Sequence, residues 1–367
     1  MKYLISKSCI VFIFMLIITA ASASSGYAKA YQRLYTGVRP IGMGGAFAAV
    51  ADDRNTVFYN PAGLSRIDGF TLGVFNPAVG VGENGFDMYS DSEDIDMDDT
   101  GEVADLLRDY TGEHMHLYAA LTPHLGFRIN NFGVMVSAFG IGSMDSTVRN
   151  PVYPQFNMNA RIDIGGIGGV GFMVPGVKGL RAGAAFKSIS RESINEVYTP
   201  AQIAADDFED RIEDDKKSGT ATGLDLGFIY TLPWNKYFET DVALTGQNIP
   251  ELEFDDGETL ETEWTAGVAL KKEIGPFAVL AALDYRDITD NIEEDSDLGK
   301  RIHMGTEVQF KDLFAVRAGF NQGYPTLGAS LDLWVIKFDA AMYSEEVGAY
   351  AGQREDKRYM GQLTIGW

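Results

Sequence analysis

The sequence predicts an all-β fold: a 14-stranded antiparallel transmembrane β-barrel with an N-terminal plug segment in the lumen. Three observations carry this expectation. Apolar and polar residues alternate with period 2 in segment after segment, the mark of strands lying between two different environments. Those segments run ~9–12 residues, which suits a tilted bilayer-spanning strand better than the shorter strands of soluble sheets. Their polar faces carry full charges (Arg181, Lys187, Glu263, Asp284, Arg286, Glu307, Arg317, Asp332, Lys337 and Asp339) that a wet lumen accepts and a dry sandwich face does not.

The chain opens with Lys2 and Lys7, then an apolar run from Cys9 to Ala21 interrupted only by Thr19, then small-residue exits around Ala21–Ala30. This is the layout of a cleaved secretory signal, expected over residues 1–28. Cys9 stands at the start of the apolar run, far ahead of the small-residue exits, so it is no lipoprotein acceptor, and the exported protein is expected to be cysteine-free.

Residues 29–68 do not alternate. They form a small-residue stretch that turns at Asn60-Pro61 and is too short to fold alone, so it is expected to dock inside the barrel. Gly42, Gly44 and Gly45 permit close approach to the wall. Arg39, Asp52, Asp53, Arg54 and Arg66 offer partners to inward charges.

Residues 69–367 supply the strands, expected at 70–79, 114–122, 132–141, 158–174, 179–198, 218–232, 236–248, 259–273, 277–289, 301–311, 313–322, 324–333, 335–346 and 357–367. The count is even, as single-chain bacterial barrels require. Connections alternate between long (80–113, 142–157, 199–217, 249–258, 290–300, 347–356) and tight, as they do when one barrel end faces outward and the other the periplasm. Residues 80–113 hold twelve acids against Arg108 alone, so much of the formal charge of −22 gathers on the long-loop side. Within these loops Glu102–Tyr110 and Gln202–Asp210 are capable of helix. Aromatics such as Tyr230, Trp234, Phe277, Tyr285, Trp334 and Tyr343 fall near segment ends, where interfacial girdles belong.

Composition excludes several classes. The 367 residues include one Cys, 41 Gly and 46% apolar residues, with 22% charged. A charge of −22 rules out non-specific nucleic-acid binding, and a single cysteine rules out a disulfide scaffold. Gly166–Gly171 spells G-x-G-x-x-G, yet strand-like Phe172-Met173-Val174-Pro175 follows where a nucleotide site needs a helix, so a flexible, kinked strand is the better reading, since glycines mark bulges and close backbone approach. Asp94, Asp96 and Asp98 have calcium-loop spacing, but the sixth position is Asp99 rather than Gly, so a solvated loop is expected. His114 and His116 share a strand face without a third ligand visible in the sequence, so no metal is expected. No G-x-S-x-G occurs, and neither an enzyme nor a cofactor is expected.

The runs Arg39-Pro40-Ile41-Gly42-Met43-Gly44-Gly45-Ala46-Phe47, Ala51-Asp52-Asp53 and Asn60-Pro61-Ala62-Gly63-Leu64, in that order, resemble the N-terminal entry segment of the FadL-type outer-membrane β-barrel family, including its PorV/PorQ-like, TraF-like and UPF-type uncharacterised relatives. The resemblance implies a 14-stranded barrel with the N-terminus folded into the lumen as a plug. The acidic 80–113 insertion departs from the family pattern, and no fatty-acid pocket is matched. Trp367, with Tyr359, Leu363 and Ile365 on the same face, resembles the C-terminal signal read by the barrel-assembly machinery.

The leading expectation is an outer-membrane barrel, exported through the inner membrane, that admits small hydrophobic molecules past its plug. Its partners would be outer-membrane lipid and lipopolysaccharide, the assembly machinery, and a hydrophobic small-molecule ligand. The alternative is a PorV-like or TraF-like accessory that docks secretion or surface components through its loops. An apolar groove entering the lumen would favour transport; a sealed barrel with ordered external loops would favour docking.

Overall fold

The computed structural model describes residues 33–233, 237–255, 257–292 and 296–367. The expected signal at 1–28, the start of the plug at 29–32 and Trp234 lie outside the described residues.

Sixteen strand segments form one closed antiparallel sheet, and two pairs of segments are halves of single strands, so the barrel has fourteen. In chain order they are β1 (Phe70–Phe75 and Pro77–Gly82), β2 (His114–Leu121 and His124–Ile129), β3 (Phe132–Arg149), β4 (Gln155–Met173), β5 (Leu180–Tyr198), β6 (Lys217–Thr231) and β7 (Glu239–Ile249). There follow β8 (Glu263–Ile274), β9 (Phe277–Tyr285), β10 (Ile302–Phe310), β11 (Phe314–Asn321), β12 (Tyr324–Asp332), β13 (Ile336–Glu346) and β14 (Glu355–Gly366). The barrel closes where β14 pairs with both halves of β1.

The period-2 pattern sorts as two environments require. On β10 Glu307 and His303 are buried inward, while Ile302, Met304 and Val308 are exposed on the outer face. The outer face is thus an apolar band that water would not tolerate at this extent but hydrocarbon would.

Three local differences from the sequence expectation have physical causes. β1 and β2 each break before a proline, at Asn76-Pro77 and Thr122-Pro123, because proline has no N–H to donate to the ladder. The Asn76 amide bridges the gap: its Nδ2 donates to the Thr122 carbonyl at 2.7 Å, and its Oδ1 accepts from the Thr122 N–H at 2.9 Å. β2 therefore continues to Ile129 rather than ending near 122. β3 runs on to Arg149 because its polar residues Ser143 and Asp145 face inward, so the connection expected at 142–157 shrinks to 150–154. The Gly166–Gly171 stretch is not kinked; β4 pairs in continuous register with both neighbours through it.

The long connections carry helices. Between β1 and β2 lie α3 (Glu83–Ser92) and α4 (Thr100–Asp109); α1 and α2 belong to the N-terminal segment described below. Asp99 caps α4, accepting from the Gly101 and Glu102 N–H groups, and Val103 and Leu107 pack on Met115 and Val148 at the barrel rim. Between β5 and β6 lie α5 (Pro200–Ile203) and α6 (Phe208–Asp215). Between β7 and β8 a two-stranded hairpin, Leu252–Phe254 with Gly257–Leu260, folds inward and buries Phe254 beneath the Arg191 guanidinium, 4.1 Å from the ring centre.

Candidate functional site: the occupied lumen

Residues 33–68 fill the barrel interior. The segment contains two short helices, α1 (Val38–Gly42) and α2 (Thr56–Tyr59), and a 3₁₀ turn at Pro61–Ser65. Its apolar side chains pack on one another: Tyr35 lies 4.4 Å from Phe58 and Phe47 lies 5.3 Å from Tyr59. Phe58 in turn meets Phe139 of β3 at 6.0 Å.

The segment sits on two patches of wall glycine. On one side, Gly42 to Gly45 press on β10, β11 and β12. A Cβ built on Gly305 would fall on the Met43 carbonyl, one on Gly319 would stand 2.7 Å from the Gly44 nitrogen, and one on Gly328 would stand 3.0 Å from the Gly42 Cα. Gly44 also needs its freedom for a second reason, a φ of +65° that a side chain would strain. On the other side, the 3₁₀ turn presses on β3, β4, β5 and β6. Cβ atoms at Gly133, Gly183 and Gly227 would fall on Leu64, Pro61 and Asn60, and one on Gly171 would lie 2.5 Å from the Pro61 carbonyl. Asn60 shapes this turn: its Oδ1 accepts from the Ala62 N–H, and its Nδ2 donates to the Ala48 carbonyl at 2.7 Å.

Charges latch the same segment. Arg39 donates two bonds to the Glu307 carboxylate, at 2.9 and 2.8 Å, and further bonds to Asp52 and Asp53. Arg317 meets Glu307 from the wall. Arg54 reaches Asp339 at 2.6 Å and Gln362 at 2.8 Å, and Arg66 reaches Asp241 at 2.8 Å. Burial disfavours a charge on Asp53, but Arg39, Arg54 and Lys337 outweigh it and hold its carboxyl below the usual carboxylate range.

Polar wall groups finish the docking. Asp284 of β9 accepts from the Phe47 and Ala48 N–H groups at 2.7 and 2.8 Å, and His303 Nδ1 stands 2.9 Å from the Gly44 carbonyl. Asp284 was visible in the sequence as an inward charge, but its role as a backbone acceptor was not. The wall glycines were not singled out either, because at inward positions they read as part of a polar face.

Space is distributed unevenly. Among the described residues a cavity of 480 Å³ lies against the outer wall, lined by Leu117, Ala119, Gly142, Ala160 and Ile162. The ladders joining β2, β3 and β4 beneath it are unbroken, so this apolar groove does not enter the lumen. At the tight-turn end a cavity of 460 Å³ opens among Arg66, Asp68, Arg181, Asp241, Lys271 and Lys337. Deeper, between the segment and Lys187, Asp225 and Arg286, only 30 Å³ remains.

The C-terminal residues Tyr359, Leu363, Ile365 and Trp367 lie on the outer face of β14 or directly after it, with Trp367 the most exposed. Trp367 is bound into the seam: its N–H donates to the Leu72 carbonyl at 2.8 Å, and its ring lies 6.2 Å from Phe70.

No family model matches this sequence, and no curated protein matches it either. Solved structures do. The chain is similar to the toluene transporter TbuX of Ralstonia pickettii, with a TM-score of 0.58 and 10% identity over 92% of this chain and 99% of that one. It is similar to the CymD monoaromatic hydrocarbon channel, with a TM-score of 0.53 and 12% identity over 92% and 98%. A third is the TodX deltaS2S3 mutant monoaromatic hydrocarbon channel, at 0.51 and 11% over 90% and 98%. The fold is that of the FadL-type outer-membrane barrels. Folding also brings Asp356 beside His114 and Asp145 beside His116, partners that no sequence spacing indicates.

Proposed function

We propose that this protein is an outer-membrane channel for small hydrophobic molecules, not an enzyme, with residues 33–58 as a gate that must shift to admit them. The observation that supports this reading most directly is a closed barrel whose lumen is occupied by a separate, non-covalently latched segment. The hydrocarbon transporters of the same fold suggest the ligand class. The charged cavity at the tight-turn end would be the exit, and Arg39–Glu307 and Arg54–Asp339 the latches on the route. Export by a cleaved signal, insertion through the C-terminal residues ending in Trp367, and contact with lipopolysaccharide belong to the same proposal.

The test is a variant lacking 31–58, studied in planar bilayers. Its single-channel conductance should exceed that of the full chain, and its thermal midpoint should fall. Equal conductance would mean the segment does not obstruct the lumen. A separate test addresses insertion: deletion of Gly366-Trp367 should leave chain in the periplasm, and normal membrane yield with heat-modifiable migration would count against an assembly role.

One set of observations supports the accessory reading instead. The apolar groove stays outside the wall, and α3 to α6 with the inward hairpin order the long-loop end. If the 31–58 deletion conducts no better than the full chain while a partner protein co-purifies through those loops, docking is the better account.

A further inference from the structure

A polar cluster at the long-loop end of the barrel takes no part in holding the N-terminal segment. His114 and His116 enter from β2, Asp145 from β3, and Asp356 and Arg358 from β14; all five are buried. His114 Nδ1 lies 2.9 Å from Asp356 Oδ2, and His114 Nε2 lies 3.9 Å from Asp145 Oδ1. Donor atoms of His114, Asp145 and Asp356 all fall within 4.8 Å of one another. His116 Nδ1 holds Asp145 at 2.8 Å, and Arg358 bonds both carboxylates, Asp145 at 3.0 Å and Asp356 at 2.7 Å.

Two further features go beyond proximity. The first is Gly82, the last residue of β1, which lies between β14 and β2. A Cβ there would stand 3.1 Å from the His116 backbone nitrogen and 3.5 Å from Asp356 Oδ1, so the strand between β14 and β2 puts no side chain into the space where the Asp356 carboxylate meets the imidazoles. The second is charge. Asp145, Asp356 and the nearby Glu345, 3.8 Å from Arg358, bring three carboxylates into a buried space around one guanidinium. Carboxylates gathered out of water are costly unless compensated, and a divalent cation is one group that compensates them.

We propose that His114, Asp145 and Asp356 bind one divalent transition-metal ion, with His116 and Arg358 orienting the two carboxylates from outside. An imidazole with two carboxylates is a donor set for Zn²⁺, whereas Ca²⁺ and Mg²⁺ prefer oxygen alone. The ion ties β2, β3 and β14 together across the barrel's closing seam, beneath α3. Its role is that of a staple on the outward mouth, independent of whether the lumen conducts.

The experiment uses full-length protein in detergent, stripped with chelator and titrated with Co²⁺. The expected result is a saturable visible ligand-field absorption at one equivalent, abolished by Zn²⁺, with Zn²⁺ raising the thermal midpoint. Asp356→Asn, near-isosteric, should weaken Co²⁺ binding by more than about 100-fold, and His116→Gln, an orienting residue, by about 10-fold. X-ray absorption on Zn²⁺-loaded wild type, which requires no variant to fold, should show imidazole scattering with oxygen neighbours. Absent absorption, unchanged affinity in folded Asp356→Asn, or a zinc shell without imidazole would each overturn the site and leave a metal-free ion-pair network.

Discussion

The two seats of the N-terminal segment are built differently. The seat of Gly42–Gly45 on β10–β12 combines close backbone contact with a network of buried ion pairs beside it, Arg39–Glu307 and Arg54–Asp339. The seat of Pro61–Ser65 on β3–β6 relies more on shape, with the Asn60 cap and the backbone of the turn lying flat on glycines and a single ion pair, Arg66–Asp241, at its end. The 3₁₀ turn also lies only a few residues before β1, so the chain itself restrains it. Ion pairs exchange for water when a segment moves, whereas a steric seat is all or nothing. Under the proposed gating, the contrast would make the first seat the mobile end and the second its anchor.

The largest effect is expected from filling the anchor. Gly183→Val places a branched side chain where the Pro61 backbone now runs, and neither backbone can yield. Folded barrel, read by heat-modifiable migration, should fall sharply, while Gly140→Val on β3, with open space around it and no left-handed backbone, should not lower the yield comparably. If Gly183→Val folds with an unchanged thermal midpoint, the anchor is not steric.

Next comes the latch. Glu307→Ala strands Arg39 and Arg317 without their shared carboxylate, a change of about 3–5 kcal/mol where a buried pair is broken from one side. Protease sensitivity of residues 33–58 should rise more than that of the turn at 61–65. Glu307→Gln keeps hydrogen-bond acceptance and should fall between. Equal sensitivity of both stretches would mean the two seats release together.

How much of this was legible in the sequence follows from what each feature needs. Strand number and facing were legible because period-2 alternation is a local property, visible in Tyr359–Trp367 without knowing any partner. The pairing of Arg39, Arg54 and Arg66 with inward charges was legible in kind, since charges brought into a lumen need compensation. Which carboxylate each would meet was not, because Glu307, Asp339 and Asp241 lie on different strands and only closure of the barrel ranks them. Gly183 and Gly305 carried a weaker signal: glycine at an inward strand position has no side chain to pack, so something else must lie against it. β3 looked shorter than it is because Gly140 and Gly142 resemble turn residues. Helix α3 escaped notice because Asn84, Gly85 and Ser90 are poor helix formers; its Gly85 is buried against the His116 backbone, a tertiary contact.

The smallest expected effect tests whether the seats are separate at all. Thr326 Oγ1 donates to the Gly42 carbonyl at 3.2 Å in the first seat, and Thr245 Oγ1 lies 3.1 Å from the Tyr59 carbonyl beside the second. Thr326→Val and Thr245→Val preserve volume and each remove one hydroxyl, so each should cost about 1 kcal/mol, measured as a shift in thermal midpoint. The Thr245 loss should be the milder, because its hydroxyl is also 3.1 Å from the Leu226 carbonyl and is shared between two acceptors. Distant, independent sites add to within about 0.5 kcal/mol. Additivity in the double variant therefore supports an anchor and a latch that work separately, as gating requires. A coupling well beyond that margin would mean the segment docks as one rigid body, and it would then have to leave the lumen whole rather than swing from its anchored end.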